Sequence, residues 1–97
     1  MATDQANVQN RVRQATLAFQ AAESFFLNAH RRMKTRQQAD VDLYWAGPPG
    51  QQVKMDLRVA ADEVEIACKA ASAAGLPIGT IGRRLITQAQ RYLAEMA

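Results

Sequence analysis

Apolar residues in the first third of the chain recur at alternating spacings of four and three. This heptad seam comprises Val8, Val12, Ala15, Phe19, Ala22, Phe26, Ala29 and Met33. Residues 4–38 contain neither Gly nor Pro and are rich in Ala, Gln and Arg, so they are predicted to form one long helix. Two interpretations fit the seam: a core helix that packs on its own domain, or a helix that forms a coiled coil or binds a partner. Leu17, Phe25 and Leu27 lie off the seam and predict a second apolar contact.

The pattern changes over residues 39–52. Residues 41–45 alternate between apolar and polar positions, and Gly47-Pro48-Pro49-Gly50 is typical of a turn. We therefore predict a linker or a short extra strand here, with Tyr44 and Trp45 as packing anchors.

Strict alternation follows in residues 53–59. The apolar positions are Val53, Met55, Leu57 and Val59, and the polar positions between them are Lys54, Asp56 and Arg58. A period of two over seven residues predicts a half-buried β-strand.

Helical periodicity returns in two further segments, residues 61–74 and 78–96. Gly75 is predicted as the residue just beyond the first of these helices, and Pro77 prevents that helix from continuing. The predicted fold class is therefore mainly α, with one short strand.

Composition adds bounds on size, class and location. A chain of 97 residues is one domain, and its Ala-rich composition predicts closely packed helices that a partner subunit helps to complete. The net charge of +3 permits nucleic-acid binding, although the densest basic patch, residues 31–36, lies outside the strand. No secretory signal or membrane-spanning stretch is evident, which predicts a cytoplasmic protein that does not engage membranes.

The residues that carry most enzymatic chemistry are scarce. Cys68 and His30 are the only cysteine and histidine, so no spaced Cys/His metal set and no intrachain disulfide exist. No phosphate-cradling glycine loop and no nucleophile–base pair stands out. We therefore expect a protein that is not an enzyme and that uses no cofactor or metal.

The order strand, helix, glycine turn, helix in residues 53–97 resembles the MetJ/Arc/CopG ribbon-helix-helix family. In that family an Arg near the end of the strand precedes the turn glycine by about seventeen residues, and Arg58 and Gly75 have this spacing. Gly75-Leu76-Pro77-Ile78-Gly79 resembles the family's turn, which is followed here by Arg83-Arg84-Leu85. Pro77 and Gly79 stand where the family usually has Ser or Thr.

The resemblance implies a homodimer in which residues 53–59 of two copies pair as an antiparallel ribbon. Such a ribbon enters the major groove of double-stranded DNA, where Lys54, Asp56 and Arg58 would read bases. The phosphate contacts would come from the start of the last helix and its basic turn, through Ile78, Gly79, Thr80, Arg83 and Arg84. The implied function is a small repressor or autoregulator of the antitoxin, plasmid-regulator or conjugation-accessory type. Residues 1–38 would extend the dimer or bind a protein partner.

A second hypothesis remains open at this point. Residues 53–59 could instead pair within the chain against residues 41–45, with the N-terminal seam mediating assembly. The protein would then be a helical interaction protein that does not bind DNA.

Overall fold

Four α-helices make up the computed structural model, which describes residues 2–96. They span Ala2–Met33 (α1), Gln38–Ala46 (α2), Pro48–Ala73 (α3) and Gly79–Glu95 (α4). No β-strand occurs among these described residues. No helix in this part of the chain combines the length and the apolar character that crossing a membrane requires.

The N-terminal seam packs inside this chain. α1 and α3 run antiparallel, since Arg11 lies 3.9 Å from Glu63, whereas Phe26, later in α1, lines one groove with Lys54 and Met55, earlier in α3. Every residue of the seam is buried or half-buried, and Phe19 is only 1% exposed. The interpretation of α1 as a core helix is therefore confirmed. The helix ends at Met33, five residues before the predicted end, because no seam residue follows to hold a further turn against α3.

Pro48 and Pro49 begin a helix where a turn was predicted. Gly47 ends α2 by donating its N–H to the Leu43 carbonyl, and it also precedes the first turn of α3. Proline suits the first turn of a helix, where its missing N–H would have had no partner. The strand or linker expected in residues 39–52 is therefore wrong, because residues 41–45 belong to α2.

The predicted ribbon strand is also wrong, because residues 53–59 lie inside α3. Their alternation comes from two apolar stripes on opposite sides of one helix. Val53 and Leu57, four residues apart, face the core, whereas Met55 and Val59, also four residues apart, face away from it. Leu57 is fully buried, but Met55 and Val59 are each 57% exposed. Neither a ribbon between two copies nor a hairpin with residues 41–45 exists, since both require strands.

The end of α3 follows the sequence prediction. Leu76 donates its N–H to the Ala71 carbonyl and Gly75 donates to Ser72, which is the hydrogen-bond pattern of a Schellman motif. Gly75 has a φ of +77°, a conformation that glycine adopts without steric cost. The chain then turns into α4, which packs on α3 and returns toward the end that carries α2.

The core is built largely of alanine. Seven of its eleven buried apolar residues are Ala, and the largest fully buried side chains are Phe19, Leu57, Val64 and Cys68. Small side chains let α1 and α4 approach α3 closely, but each contributes little apolar area. The result is an elongated bundle of 55 × 21 × 20 Å.

Candidate functional site

Three features of the surface could carry a function: an apolar stripe on α3, a basic face on α4 and a groove at one end of the bundle. The α3 stripe consists of Met55, Val59 and Ile66, which follow helical spacing and point away from the core. We call these three residues the outer stripe. Asp62 and Lys69 continue the same helical row around Ile66, four residues before it and three residues after it.

The residues predicted to read DNA bases separate in the structure. Lys54 and Arg58 both line the groove at the end of the bundle. Asp56 does not line it and instead accepts a hydrogen bond of 2.8 Å from the Gln52 amide. The three side chains do not form one reading face, because the helix places Asp56 about 160° around its axis from both Lys54 and Arg58.

The predicted phosphate-binding residues stay together at the start of α4. Ile78 precedes the helix and accepts a hydrogen bond from the Gly82 N–H, and Gly79 opens the first turn. Thr80, Arg83 and Arg84 then line a shallow surface depression with a volume of about 460 Å³. The full lining of this surface, which we call the basic face, is Thr80, Arg83, Arg84, Thr87, Gln88 and Arg91.

Part of the basic face is already engaged within the chain. Arg91 lies 3.3 Å from the Glu95 carboxylate, and Gln88 donates a hydrogen bond to Glu23 on α1. Arg83 and Arg84 are exposed and form no salt bridge with a described carboxylate. The positive charges of the basic face that form no salt bridge with a described carboxylate, Arg83 and Arg84, therefore lie in its amino-terminal half.

A groove of about 590 Å³ lies where α2, α3 and the end of α4 meet. We call it the end groove, and its lining is Phe26, His30, Trp45, Gln51, Lys54, Met55, Arg58, Glu95 and Met96. Trp45 is held against α1, with its ring centroid 4.7 Å from that of His30 and 5.6 Å from that of Phe26. The packing role predicted for Trp45 is confirmed by these contacts.

The α2–α3 turn positions Trp45 at the mouth of this groove. Gln51 reaches back across the turn and donates a hydrogen bond of 2.6 Å to the Trp45 carbonyl. Gly50 is buried there, and a Cβ on it would lie 2.2 Å from the Tyr44 carbonyl oxygen. The absence of a side chain at position 50 therefore permits the close approach of α2 to α3.

Two groups with shifted pKa values lie beside these surfaces: Cys68 is buried in the core, and Tyr92 is half-buried against it. Burial raises the pKa of the Cys68 thiol, which keeps it protonated and unreactive near neutral pH. Burial also raises the pKa of Tyr92, and the hydrogen bond to Glu23 and the charge of Glu23 act in the same direction. No group of three or more metal-ligating side chains forms among the described residues.

Sequence patterns missed the end groove and the outer stripe for one reason. Met55 and Val59 were assigned to the buried face of a strand, so their exposure was not expected. Extending the 3.6-residue period of residues 61–74 back to Pro48 would have placed Met55, Val59 and Ile66 in one row. Nothing in the sequence joins Trp45 to Met96, which are brought together only by the packing of α2 and α4 on α3.

Comparison with known proteins finds no matching family model, no similar curated protein and no similar solved structure. Function has to be inferred from the geometry of these residues.

Proposed function

We propose that this protein is a helical association module that forms a homodimer through the outer stripe of α3. The observation that carries this proposal is a bundle with an undersized core and a row of unpartnered apolar side chains on its central helix. A ribbon dimer is not part of the proposal, because the described chain has no strand.

The surface of one chain is larger than that of a compact monomer. A compact protein of 10.7 kDa exposes about 5,500 Å². The accessible surface of this chain is 6788 Å², an excess of roughly 1,300 Å² over that expectation. Each partner in a standard interface buries about 800 Å². The excess is therefore large enough to supply one such interface.

The distribution of apolar side chains also indicates a surface that a second chain can cover. Among the residues whose side chains the structure describes, eight large hydrophobic residues are exposed, twice the number of large side chains that are fully buried. They are Leu17, Phe25, Leu27, Leu43, Met55, Val59, Ile66 and Ile81. Only α3 aligns three of them in a single helical row opposite the core, which is the arrangement that a facing helix can cover.

The charges on this row favour a second copy of the chain as the occupant. Asp62 and Lys69 lie on either side of Ile66 in the row. When two α3 helices pair antiparallel with a two-fold axis near Ile66, Asp62 of each chain approaches Lys69 of the other. The row is then complementary to itself in charge around Ile66, as a two-fold interface requires.

Sedimentation equilibrium tests this proposal directly. We expect the wild-type protein to be dimeric at micromolar concentrations and a Val59→Lys, Ile66→Lys double variant to be monomeric with an unchanged helical circular dichroism spectrum. The matched control is Leu43→Lys, Ile81→Lys, which places two charges at more exposed apolar positions off the row. The control should remain dimeric.

A charge reversal locates the two-fold axis. Asp62→Lys should weaken the dimer by placing like charges together, and adding Lys69→Asp should restore it. A wild-type protein that is monomeric at all accessible concentrations would refute the proposal. A dimer that persists in the Val59→Lys, Ile66→Lys variant would exclude the outer stripe as the dimer interface.

A second candidate function, binding of a duplex DNA backbone, is supported by the basic face of α4. Thr80, Arg83 and Arg84, three of the predicted phosphate ligands, lie on one shallow surface, and both arginines are free of salt bridges to described residues. Guanidinium groups in this setting contact phosphate oxygens without reading sequence. This mode requires no ribbon and gives no base specificity.

Fluorescence anisotropy with a labelled 20-base-pair duplex separates this function from simple attraction by net charge. Affinity should fall steeply between 50 and 200 mM salt. Arg83→Gln, Arg84→Gln should weaken binding much more than Arg13→Gln, Arg36→Gln, although both variants lose two positive charges. Equal losses in the two variants would rule out the basic face as the contact.

A further inference from the structure

Two cations at the end groove are held in place without carboxylate partners. The Lys54 ammonium lies 5.4 Å from the centroid of the Trp45 ring, a cation–π distance. The Arg58 guanidinium donates a hydrogen bond of 2.8 Å to the Met96 carbonyl. Neither side chain forms a salt bridge within the described part of the chain. Arg58 therefore keeps most of its five N–H donors available in a fixed position.

The electrostatic balance of the groove is positive. Among the described residues that line it, Glu95 is the only carboxylate, and the charge of Glu95 is offset by Arg91 at 3.3 Å. Asp56, which lies between Lys54 and Arg58 in sequence, accepts a hydrogen bond from Gln52 and does not line the groove. An anion that enters between Lys54 and Arg58 meets two cationic donors and, within the described lining, no carboxylate that lacks a partner.

The rest of the groove is suited to a flat apolar group. Trp45, Phe26 and His30 form one contiguous aromatic cluster, with neighbouring ring centroids 4.6 to 5.6 Å apart. Met55 and Met96 complete the apolar lining with flexible thioether side chains that adapt to a ligand. The volume of about 590 Å³ falls in the range of sites for small organic molecules.

We infer that the end groove binds a small organic carboxylate with an aromatic body. The aromatic ring lies against Trp45 and the two methionines, and the carboxylate accepts hydrogen bonds from Lys54 and Arg58. This ligand class satisfies both halves of the lining at once. A neutral aromatic molecule would leave the two cations unpaired, and an inorganic anion would leave the aromatic wall uncovered.

The single tryptophan of the chain reports on this groove, because it is Trp45 itself. The probe is 3-phenylpropionate, which does not absorb where tryptophan is excited. Titration into the wild-type protein should change the Trp45 emission saturably. The neutral isostere 3-phenylpropionamide should bind at least about tenfold more weakly, because it carries no negative charge to pair with the Lys54 ammonium and the Arg58 guanidinium.

Lys54→Gln is the test variant and Lys34→Gln is its matched control. Both replace one lysine with glutamine, but Lys34 is exposed between α1 and α2, does not line the groove and is not part of the outer stripe or its flanking charges. The first should weaken 3-phenylpropionate binding about tenfold or more, and the second should leave it unchanged. Three outcomes would each overturn the inference: equal affinity for the acid and its amide, equal affinity in the two variants, or no saturable change in the Trp45 emission. Amide chemical-shift changes on binding should cluster at residues of the end groove, and changes spread over the whole bundle would count against it.

Discussion

Gly50 shows how one residue without a side chain sets the geometry of the α2–α3 turn. A Cβ at this position would lie 2.2 Å from the Tyr44 carbonyl oxygen and 2.6 Å from the Trp45 Cα, both of them backbone atoms that cannot rotate aside. Gly75 is needed for a different reason. Its φ of +77° disfavours any side chain, although open space surrounds it.

These two glycines give a first prediction. Gly50→Ala should lower the free energy of unfolding by about 3 kcal/mol, because the turn must open to relieve the overlap. Gly75→Ala should cost only about 1 kcal/mol, the strain of a left-handed conformation for alanine. Urea unfolding followed by circular dichroism measures both. Equal midpoints for the two variants would show that the close approach at Gly50 does not exist.

The pKa values of Cys68 and Tyr92 predict how stability depends on pH. The folded protein raises the pKa of Cys68 and of Tyr92 above their ordinary values of 9.0 and 10.0. Groups with raised pKa values stabilise the folded state fully below their ordinary pKa, and this contribution is lost as the pH rises through the folded value. The urea midpoint should therefore fall progressively above about pH 9.

Cys68→Ala isolates the thiol contribution. This variant should be less stable at pH 7, because it leaves a small cavity, but its midpoint should decline less between pH 9 and pH 10 than that of the wild type. A wild-type midpoint that stays constant up to pH 10.5 would contradict the assigned pKa directions.

At the scale of the element, α1 shows that a long seam predicts packing reliably. Phe19 and Phe25 are the same residue type on the same helix, yet Phe19 is 1% exposed and Phe25 is 68% exposed. The sequence separates them, since only Phe19 belongs to the row spaced by fours and threes. The eight positions of that row repeat the same spacing over about seven helical turns, which no strand period would fit.

The prediction for this element compares those two residues. Phe19→Ala should cost about 3–5 kcal/mol, because it removes a fully buried ring from beside Tyr92. Phe25→Ala should change the free energy of unfolding by about 0.5 kcal/mol or less, as exposed substitutions do. Chemical denaturation of the two variants under identical conditions provides the measurement. A large loss of unfolding free energy in Phe25→Ala would mean that Phe25 makes a contact that a single chain does not provide.

α3 shows where sequence patterns fail. The seven residues 53–59 fit a strand and a helix equally well, because two apolar stripes on opposite sides of a helix also alternate along the chain. The longer window from Pro48 to Ala73 is helical throughout. Its core positions, including Leu57, Ala61, Val64 and Cys68, follow one continuous helical face. A short window therefore lost the information that distinguishes the two structures.

At the scale of the whole molecule, elongation is the dominant property. The radius of gyration of the Cα atoms is 15.8 Å, whereas a compact domain of this length has about 12.5 Å. A narrow bundle exposes both sides of its central helix, which leaves the outer stripe without a partner in a single chain. Shape and the proposed association are thus two consequences of the same small core.

Small-angle X-ray scattering tests the shape independently of the dimer. The monomeric Val59→Lys, Ile66→Lys variant should have a radius of gyration close to 15.8 Å, and the wild type should have a larger value that increases with concentration. A variant value near 12.5 Å would mean that the helices repack into a more compact domain.

The sequence by itself determined the N-terminal helix, the stop at Gly75 and the final helix, because each depends on contacts within a few turns. It did not determine the state of residues 53–59, the end groove or the exposure of Met55, Val59 and Ile66. Those features depend on which side of α3 meets α1 and α4. A local pattern shows which residues are apolar, but only the packing of distant segments decides which of two apolar faces is buried.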